Sequence, residues 1–230
     1  MASPTKIIPT GRSSAKKFEL SRTEEMFASG HKDVDVALTT RELARMLKQC
    51  GIDLVALDEG APDSILGEYS GAGTIFGATG GVMEAALRTA YRLIAGKELE
   101  KIEIKPVRGL EGIKDAAIRV GDLEVEVAVA HGLGNARKLL EAVKAGKSPY
   151  HFIEVMACPG GCVGGGGQPI GFDLSVRETR GKGLYAEDKA LTYRKSHENP
   201  AIQKIYSDYL VQPLGEKSHH LLHTGYTRRG

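Results

Sequence analysis

Residues 152–169 read FIEVMACPGGCVGGGGQP, an apolar run followed by two cysteines and six glycines. The apolar run has the composition of a buried strand, and Pro159 fixes a turn soon after it. Glycine loses more backbone entropy on folding than any other residue. Glycines in this number therefore indicate positive φ angles or a very close approach of the backbone to another group. We predict a strand that delivers Cys158 and Cys162 to a tightly built loop.

Strand and helix patterns alternate on the N-terminal side of this loop. LEVEVAVAHG, residues 123–132, predicts a strand that leads into a helix over NARKLLEAVKAG, residues 135–146. Upstream, SGAGTIFGATGGVMEAALRTAYRLIAG, residues 70–96, predicts a glycine-rich loop entering a long helix. The helix face predicted to be apolar contains Val82, Ala86, Leu87, Ala90 and Leu93. This alternation indicates an α/β fold in which a twisted sheet is flanked by helices.

Two further stretches are strand candidates. DVDVALTT, residues 33–40, alternates like a strand and precedes a helix over RELARMLKQC, with Thr39 or Thr40 as its N-cap. Cys50 ends that helix, and we expect it to be a small core residue. KIEIKPV, residues 101–107, is the second candidate strand.

The chain divides into three regions by composition. Residues 1–30 form an irregular lead-in, residues 31–170 form the α/β lobe, and residues 171–230 form a mainly helical C-terminal appendage. Within the appendage we predict a helix from about Pro200 to Leu210.

Composition narrows the classes of partner. The 31 basic and 29 acidic residues are mixed along the chain and leave a net charge of +2, so we expect neither nucleic acid nor an anionic membrane as a partner. No apolar run approaches the roughly 20 residues that span a bilayer. Three cysteines cannot all pair, which favours a reducing compartment and a metal or redox role. We therefore predict a cytoplasmic location.

The cysteine pair by itself leaves several interpretations open. Two thiols in a loop can be structural, and they make only half of a tetrahedral zinc or iron–sulfur site. A zinc half-site shared across a dimer is a further alternative. The glycines favour a bulky inorganic cluster, because they remove the side chains that would shield the sulfurs. The histidine pair His219 and His223 and the glycines Gly132 and Gly134 are weaker signals, which we interpret as a docked C-terminal segment and a tight turn.

FIEVMACPGGCVGGGGQP resembles the third cysteine motif of the iron-only, or [FeFe], hydrogenases. TIFGATGGVMEAALRTAY resembles the family's glycine-rich active-site segment, and DVDVALTTREL resembles the strand and helix before it. RKSHENPAIQKIYSDYLVQPLGEKSHHLLHT resembles its small-subunit-like region. The resemblance runs from about Ala15 to Thr224. It implies one lobe of the hydrogenase catalytic domain, followed by the helical appendage.

The resemblance also implies a cofactor. The family's active site joins a [4Fe–4S] cubane to a two-iron centre with carbon monoxide, cyanide and a bridging dithiolate, the H-cluster, held by four cysteines. By position, Cys158 ligates the cubane and Cys162 bridges the cubane and the two-iron centre. Met156, Phe76 and Gly77 would line the cavity around that centre. Gly160 and Gly161 would let the cubane nest between the sulfurs.

The resemblance weakens near the N-terminus. SSAKKFE, residues 13–19, is similar to the family's second motif, in which a lysine donates to a cyanide ligand. Lys16 matches this lysine and Glu19 a downstream glutamate. Ser13 stands where the cysteine is expected, and the first cysteine motif is missing from the sequence. Half of the cubane ligands are therefore absent.

Two functional hypotheses follow. In the first, the chain is one piece of a split hydrogenase that catalyses 2H⁺ + 2e⁻ ⇌ H₂. A second hydrogenase chain then supplies the missing cysteines, and ferredoxin or another carrier supplies electrons indirectly. In the second, the chain is a degenerate or truncated relative without catalysis that acts as a scaffold or interaction module. In neither case do we expect the chain to be active alone.

Overall fold

The computed structural model describes residues 34–58, 60, 67–101, 103–171 and 173–222, together with the backbone of residues 6–10. These residues contain a mixed sheet of four strands in the order β1-β4-β3-β2. The strands are β1 (Lys6–Thr10), β2 (Ile113–Val120), β3 (Leu123–His131) and β4 (Phe152–Met156). β4 runs parallel to both β1 and β3, whereas β2 and β3 form an antiparallel hairpin.

The helices of the described residues precede, follow and separate these strands. They are α1 (Thr40–Gln49), α2 (Gly71–Thr74), α3 (Gly81–Ala95), α4 (Leu133–Lys144), α5 (Leu174–Ala190), α6 (Pro200–Ile205) and α7 (Glu216–Leu222). A π-helical turn, Tyr206–Leu210, continues α6. The predicted α/β class and the predicted helix over residues 200–210 are confirmed.

Both faces of the sheet are buried. Successive side chains of β3 point to opposite faces, and each face is covered by other apolar residues. Val127 and Val129 pack with Met83 and Leu87 of α3. The alternate β3 residues pack with Ile153, Ala136 and Leu139 on the side of α4. This two-sided burial explains the uninterrupted apolar sequence at the end of β3. It also fixes the position of the end of β4, two residues before Cys158.

Several predictions about local structure are wrong. Residues 34–39 form no strand, and Val36 is 69% exposed, because alternation alone provides no neighbouring strand to pair with. Thr39 does cap α1, in a capping box with Glu42. No residue of α1 is buried. Cys50, the C-cap of this helix, is exposed as well and is not a core residue. Of the face predicted for α3, Val82 and Leu87 are buried whereas Leu93 is 74% exposed.

The stretch KIEIKPV also differs from its prediction. Its second half is a 3₁₀ turn, Lys105–Val107, because Pro106 has no N–H to donate to a sheet. The apolar residues Ile104 and Val107 are nevertheless buried in the core. The strands that the sequence analysis missed are β1, which lies in the predicted irregular lead-in, and β2. The longest missed helix is α5, which Asp173 caps by accepting from the Ser175 N–H.

A buried ionic cluster attaches α5 to α3. The Arg88 guanidinium has no exposed surface, and it donates to Glu84 at 2.8 Å and to both Asp188 oxygens at 2.8 and 2.9 Å. Arg194 donates to the same Asp188 carboxylate at 2.6 Å. Arg88 and Arg194 hold the pKa of Asp188 below its usual value, against the opposing effect of burial. The C-terminal region is therefore joined to the lobe by charge as well as by packing.

We predict that Arg88→Leu destabilises the fold by about 3–5 kcal/mol, because the buried carboxylates then keep only one charged partner each, Arg108 for Glu84 and Arg194 for Asp188. Urea unfolding followed by circular dichroism measures this. The matched control is Arg92→Leu, which removes an ion pair to Glu98 whose side chains are 47% and 45% exposed. The control should cost less than about 1 kcal/mol. Equal losses in the two variants would contradict the assigned role of the cluster.

Candidate cofactor site

The two cysteines lie directly after the edge of the buried sheet. Met156 ends β4 and is 2% exposed, and Cys158 follows it at 7% exposed. Cys162 begins a 3₁₀ turn, Cys162–Gly164, and is half-buried. Burial raises the pKa of the Cys162 thiol, and the neighbouring Cys158 raises it further. A metal that binds there must therefore displace a thiol proton at neutral pH.

The glycines between the cysteines make close contact with a second loop. Gly160 and Gly161 have φ angles of +82° and +93°, and the Gly160 carbonyl accepts a 3.0 Å hydrogen bond from the Thr79 N–H. A Cβ on Gly161 would lie 2.7 Å from the Thr79 nitrogen and 2.8 Å from the Gly77 oxygen. Both expectations for this loop, positive φ and close approach, are confirmed. The group that Gly161 approaches is protein backbone, and Gly160 is constrained by its positive φ, so protein structure accounts for both glycines without any cluster.

Two later glycines of the loop differ from each other. A Cβ on Gly165 would lie 3.0 Å from the Cys162 carbonyl oxygen and 3.7 Å from the Cys158 sulfur, whereas a Cβ on Gly166 would meet nothing within 4 Å. Gly166 is exposed. The packing of the described residues therefore does not require a glycine at position 166. That side of the loop leaves open space for an external group.

The donor set fits an iron–sulfur cluster in kind but only in part. Thiolate is the soft ligand that such clusters select. The loop supplies two thiols four positions apart, and the third cysteine of the sequence, Cys50, ends α1 and is exposed. A [4Fe–4S] cluster with four cysteine ligands needs two more. The chain accordingly offers half of a ligand set.

Phe76 and Gly77 are brought beside this loop. They belong to a 3₁₀ turn, Ile75–Gly77, that contacts the Cys162–Gly164 turn. The Phe76 side chain is 47% exposed. A Cβ on Gly77 would lie 2.7 Å from Leu184 Cδ1, so the absence of a side chain there allows α5 to approach. The structure therefore places the turn with Phe76 and Gly77 beside the loop of Gly160, Gly161 and Cys162, and the role of these residues around a cofactor stays a prediction.

Helix α5 holds the cysteine loop from outside. The Arg180 guanidinium donates to the Val163 carbonyl at 3.0 Å and to the Pro169 carbonyl at 2.9 Å. Arg177 lies over the same loop, with its Nε 3.2 Å from the position of a Cβ on Gly164. The sequence analysis missed both arginines, although the basic run RETRGK was the available signal. Their charge favours an anionic group at the loop.

Helix α1 contributes one further attachment. The Arg41 N–H donates to the Gly167 carbonyl at 3.2 Å, and its guanidinium donates to the Gly166 carbonyl at 2.5 Å. This contact anchors the beginning of α1 to the glycine-rich end of the cysteine loop. Lys16, Glu19 and Ser13 lie outside the described residues, so their assigned roles stay predictions.

A second group of possible metal ligands lies elsewhere. Ligand atoms of Glu98, His197 and Glu198 lie within 4.8 Å of one another. The Lys195 ammonium, however, bonds both carboxylates at 2.7 Å. The Lys195 ammonium therefore already neutralises the carboxylates that a metal ion would bind. We take the cysteine loop as the candidate site instead.

Two family descriptions match separate parts of the chain. Residues 11–166 match the family described as "Iron only hydrogenase large subunit, C-terminal domain". Residues 174–229 match "Iron hydrogenase small subunit". The chain belongs to the iron-only hydrogenase family. The first match ends inside the glycine run of the cysteine loop, and the second begins at the start of α5.

Curated hydrogenases are close relatives over nearly the whole chain. The NADP-reducing hydrogenase subunit HndD of Solidesulfovibrio fructosivorans is 52% identical over 216 residues, which are 94% of this chain and 37% of that protein. Iron hydrogenase 1 of Clostridium pasteurianum is 47% identical over 219 residues, covering 93% of this chain and 38% of that protein. The chain thus spans less than half of the length of these relatives.

Solved hydrogenase structures share the fold. A single-residue variant of [FeFe]-hydrogenase HydA1 from Chlamydomonas reinhardtii matches with a TM-score of 0.75 and 39% sequence identity. The match covers 96% of this chain and 63% of that one. The prediction that the chain forms part of a hydrogenase catalytic domain is confirmed. No helix among the described residues is long and apolar enough to cross a membrane.

The glycines of the cysteine loop give a paired test. We predict that Gly161→Ala destabilises the fold by about 2 kcal/mol or more, because the new Cβ meets backbone and φ is positive. Gly166→Ala should change stability by less than about 0.5 kcal/mol, since a Cβ there meets nothing. Urea unfolding of both variants checks this.

The variants Gly161→Ala and Gly166→Ala also distinguish an effect on folding from an effect on cluster binding. If an external group approaches the open side of the loop, Gly166→Ala lowers the iron bound after anaerobic reconstitution together with a chain that carries the missing cysteine motifs, while leaving unfolding unchanged. Normal iron binding by Gly166→Ala would contradict the assignment of that side as the approach route.

Proposed function

We propose that this chain is one piece of a split or multisubunit [FeFe] hydrogenase that catalyses 2H⁺ + 2e⁻ ⇌ H₂. The observation that carries the proposal is the juxtaposition of Cys158 and Cys162 with the Phe76–Gly77 turn. Family membership supports the reaction class, because the relatives that match over this region are hydrogenases. When bound, the [4Fe–4S] cluster and its two-iron centre supply the redox chemistry.

The residues of this chain hold and shield that group. The Cys158 thiolate would hold the cubane, and the Cys162 thiolate would hold the cubane together with its two-iron centre. Met156 and Phe76 exclude water from the two-iron side. Gly77, Gly160 and Gly161 keep the two loops close enough to form one wall, and the basic side chains of α5 offset the negative charge of the thiolates.

Two residues outside the described region complete the proposed site. Lys16 donates a hydrogen bond to a cyanide ligand, since a primary ammonium is a compact donor to a small anion. Glu19 follows it closely in the sequence and belongs to the same segment. Both roles depend on the resemblance of residues 13–19 to the family's second motif.

A second hydrogenase chain supplies the missing ligands in this proposal. The ligand count carries this point, because two cysteines cannot complete a site built from four. HndD is named as a subunit, which is consistent with a multisubunit arrangement. Ferredoxin or another electron carrier would serve the assembled enzyme indirectly, through that partner. We place the protein in the cytoplasm, in anaerobic metabolism, without nucleic-acid or membrane partners.

The alternative is a hydrogenase-like scaffold without catalysis. Ser13 and the half ligand set favour it, because a serine hydroxyl is a poor substitute for a thiolate. The buried Cys158, the half-buried Cys162 and the open side at Gly166 favour the hydrogenase, since a scaffold does not require them.

Reconstitution with and without a partner tests the proposal. The purified chain is supplied anaerobically with iron, sulfide and the two-iron cofactor, alone and together with a chain that carries the first and second cysteine motifs. We expect CO and CN infrared bands and hydrogen evolution only from the mixture. Bands and activity from the chain alone would contradict the need for a partner. Neither signal from the mixture would favour the scaffold.

Cysteine variants test the ligand assignment in the same assay. We predict that Cys162→Ser abolishes the CO and CN bands and lowers hydrogen evolution by at least about 100-fold, because it removes a thiolate bridge. Cys50→Ser is the matched control, since Cys50 is exposed at the end of α1. The control should retain both signals. Retained bands in Cys162→Ser would refute the assignment.

A further inference from the structure

Two oppositely charged side chains are buried in one row of the sheet. Lys114 of β2 is in register with Val129 of β3, and Val129 is in register with Glu154 of β4. Residues in register point to the same face, which here is the face covered by α3. Lys114 is 5% exposed and Glu154 is 0% exposed. A charged pair in this position requires specific partners.

Glu154 finds its partners at the beginning of α3. One carboxylate oxygen accepts from the Gly80 N–H and the other from the Met83 N–H, both at 2.7 Å. The N-cap residue of α3 is Gly80, which has no side chain to cap the helix. Glu154 therefore caps α3 from a different element. Burial raises the pKa of Glu154, whereas the backbone N–H groups and Lys114 act in the opposite direction.

Lys114 holds the adjacent part of the same segment. Its ammonium donates to the Gly109 carbonyl at 2.9 Å and to the Thr79 carbonyl at 3.3 Å. Burial lowers the pKa of Lys114 to about 8, with Glu154 opposing this shift. The peptide groups of Thr79 and Gly80 are thus fixed by one carboxylate and one ammonium.

The opposite side of this segment is the wall of the cysteine loop. The Thr79 N–H donates to the Gly160 carbonyl at 3.0 Å, and the backbone from Gly77 to Thr79 lies against Gly161. A displacement of Thr79 or Gly80 must therefore move or loosen the loop that carries Cys158 and Cys162. No other charged side chains of the described residues bond Thr79 or Gly80.

We propose that Glu154 and Lys114 are positioning residues of the cofactor site: together they hold Thr79 and Gly80 so that the cysteine loop has one fixed backbone to pack against. Their connection to a cofactor rests on the proposed function, but their effect on the two loops does not. A purely structural cap would stabilise the fold without altering the cysteine loop in particular.

The test compares Glu154→Gln and Lys114→Met with Lys195→Met. Lys195 is also 5% exposed and also makes charged contacts, but with Glu98 and Glu198 instead of the site. Three measurements are made on the full chain. They are the urea midpoint, amide hydrogen exchange of residues 77–83 and 160–164, and the alkylation rates of Cys158 and Cys162 with iodoacetamide.

We expect both site variants to accelerate exchange of the Thr79 amide by at least about tenfold, because its bond to Gly160 loosens. Alkylation of Cys158 should rise by at least about fivefold, since its burial depends on the same packing. Lys195→Met should lower the urea midpoint without either local change. If Glu154→Gln does not fold, Lys114→Met alone gives the same comparison.

The proposal is overturned if the site variants lower the urea midpoint as Lys195→Met does while Thr79 exchange and Cys158 alkylation match the parent protein. Iron bound after reconstitution is measured in parallel. If the parent protein binds no iron even when it is reconstituted together with a chain that carries the missing cysteine motifs, the proposed function fails, whereas exchange and alkylation still decide the positioning role. Local loosening with unchanged iron binding would overturn only the link to the cofactor.

Discussion

The architecture of the site depends on one backbone-to-backbone contact. The segment from Gly77 to Thr79 meets Gly160 and Gly161 with no side chain between them, so the two loops are as close as peptide chains can be. One loop begins α3 and the other leaves β4. Because α3 and β4 are both packed into the core, the contact transmits the rigidity of the core to Cys158 and Cys162. Without it, the cysteine loop would be an ordinary glycine-rich surface segment.

Charged side chains lie on both sides of this contact, buried ones on the sheet side and a half-buried one on the outer side. On the sheet side, Glu154 and Lys114 satisfy peptide groups of the first loop. On the outer side, Arg180 satisfies carbonyls of the second. Helix α5, which carries Arg180, is itself attached to α3 through Arg88 and Asp188. The small-subunit-like region therefore belongs to the site physically, although it supplies none of the proposed ligands.

The cysteine loop is folded by protein contacts but carries only half of a ligand set. Close packing requires Gly161 whether or not a cluster is present, so the loop fold is stabilised by protein contacts alone. The thiols, in contrast, have no completed metal site within this sequence. A preformed loop with an incomplete donor set is suited to assembly with a second chain, because little backbone ordering remains to oppose binding.

The sequence alone determined the class of the fold and the strand before the cysteines, because these depend on local patterns of periodicity and glycine content. It also indicated the family, through the resemblance of several motifs. It also indicated that the glycines meet another group. Only the tertiary structure decided which group this is. Alternation could not reveal that residues 34–39 have no strand to pair with, and Pro106 defeated a strand pattern that continued through it. Glu154 and Lys114 lie 40 positions apart along the chain, and Arg180 is farther still. Their partners are peptide groups of distant loops, and only folding brings those groups into reach.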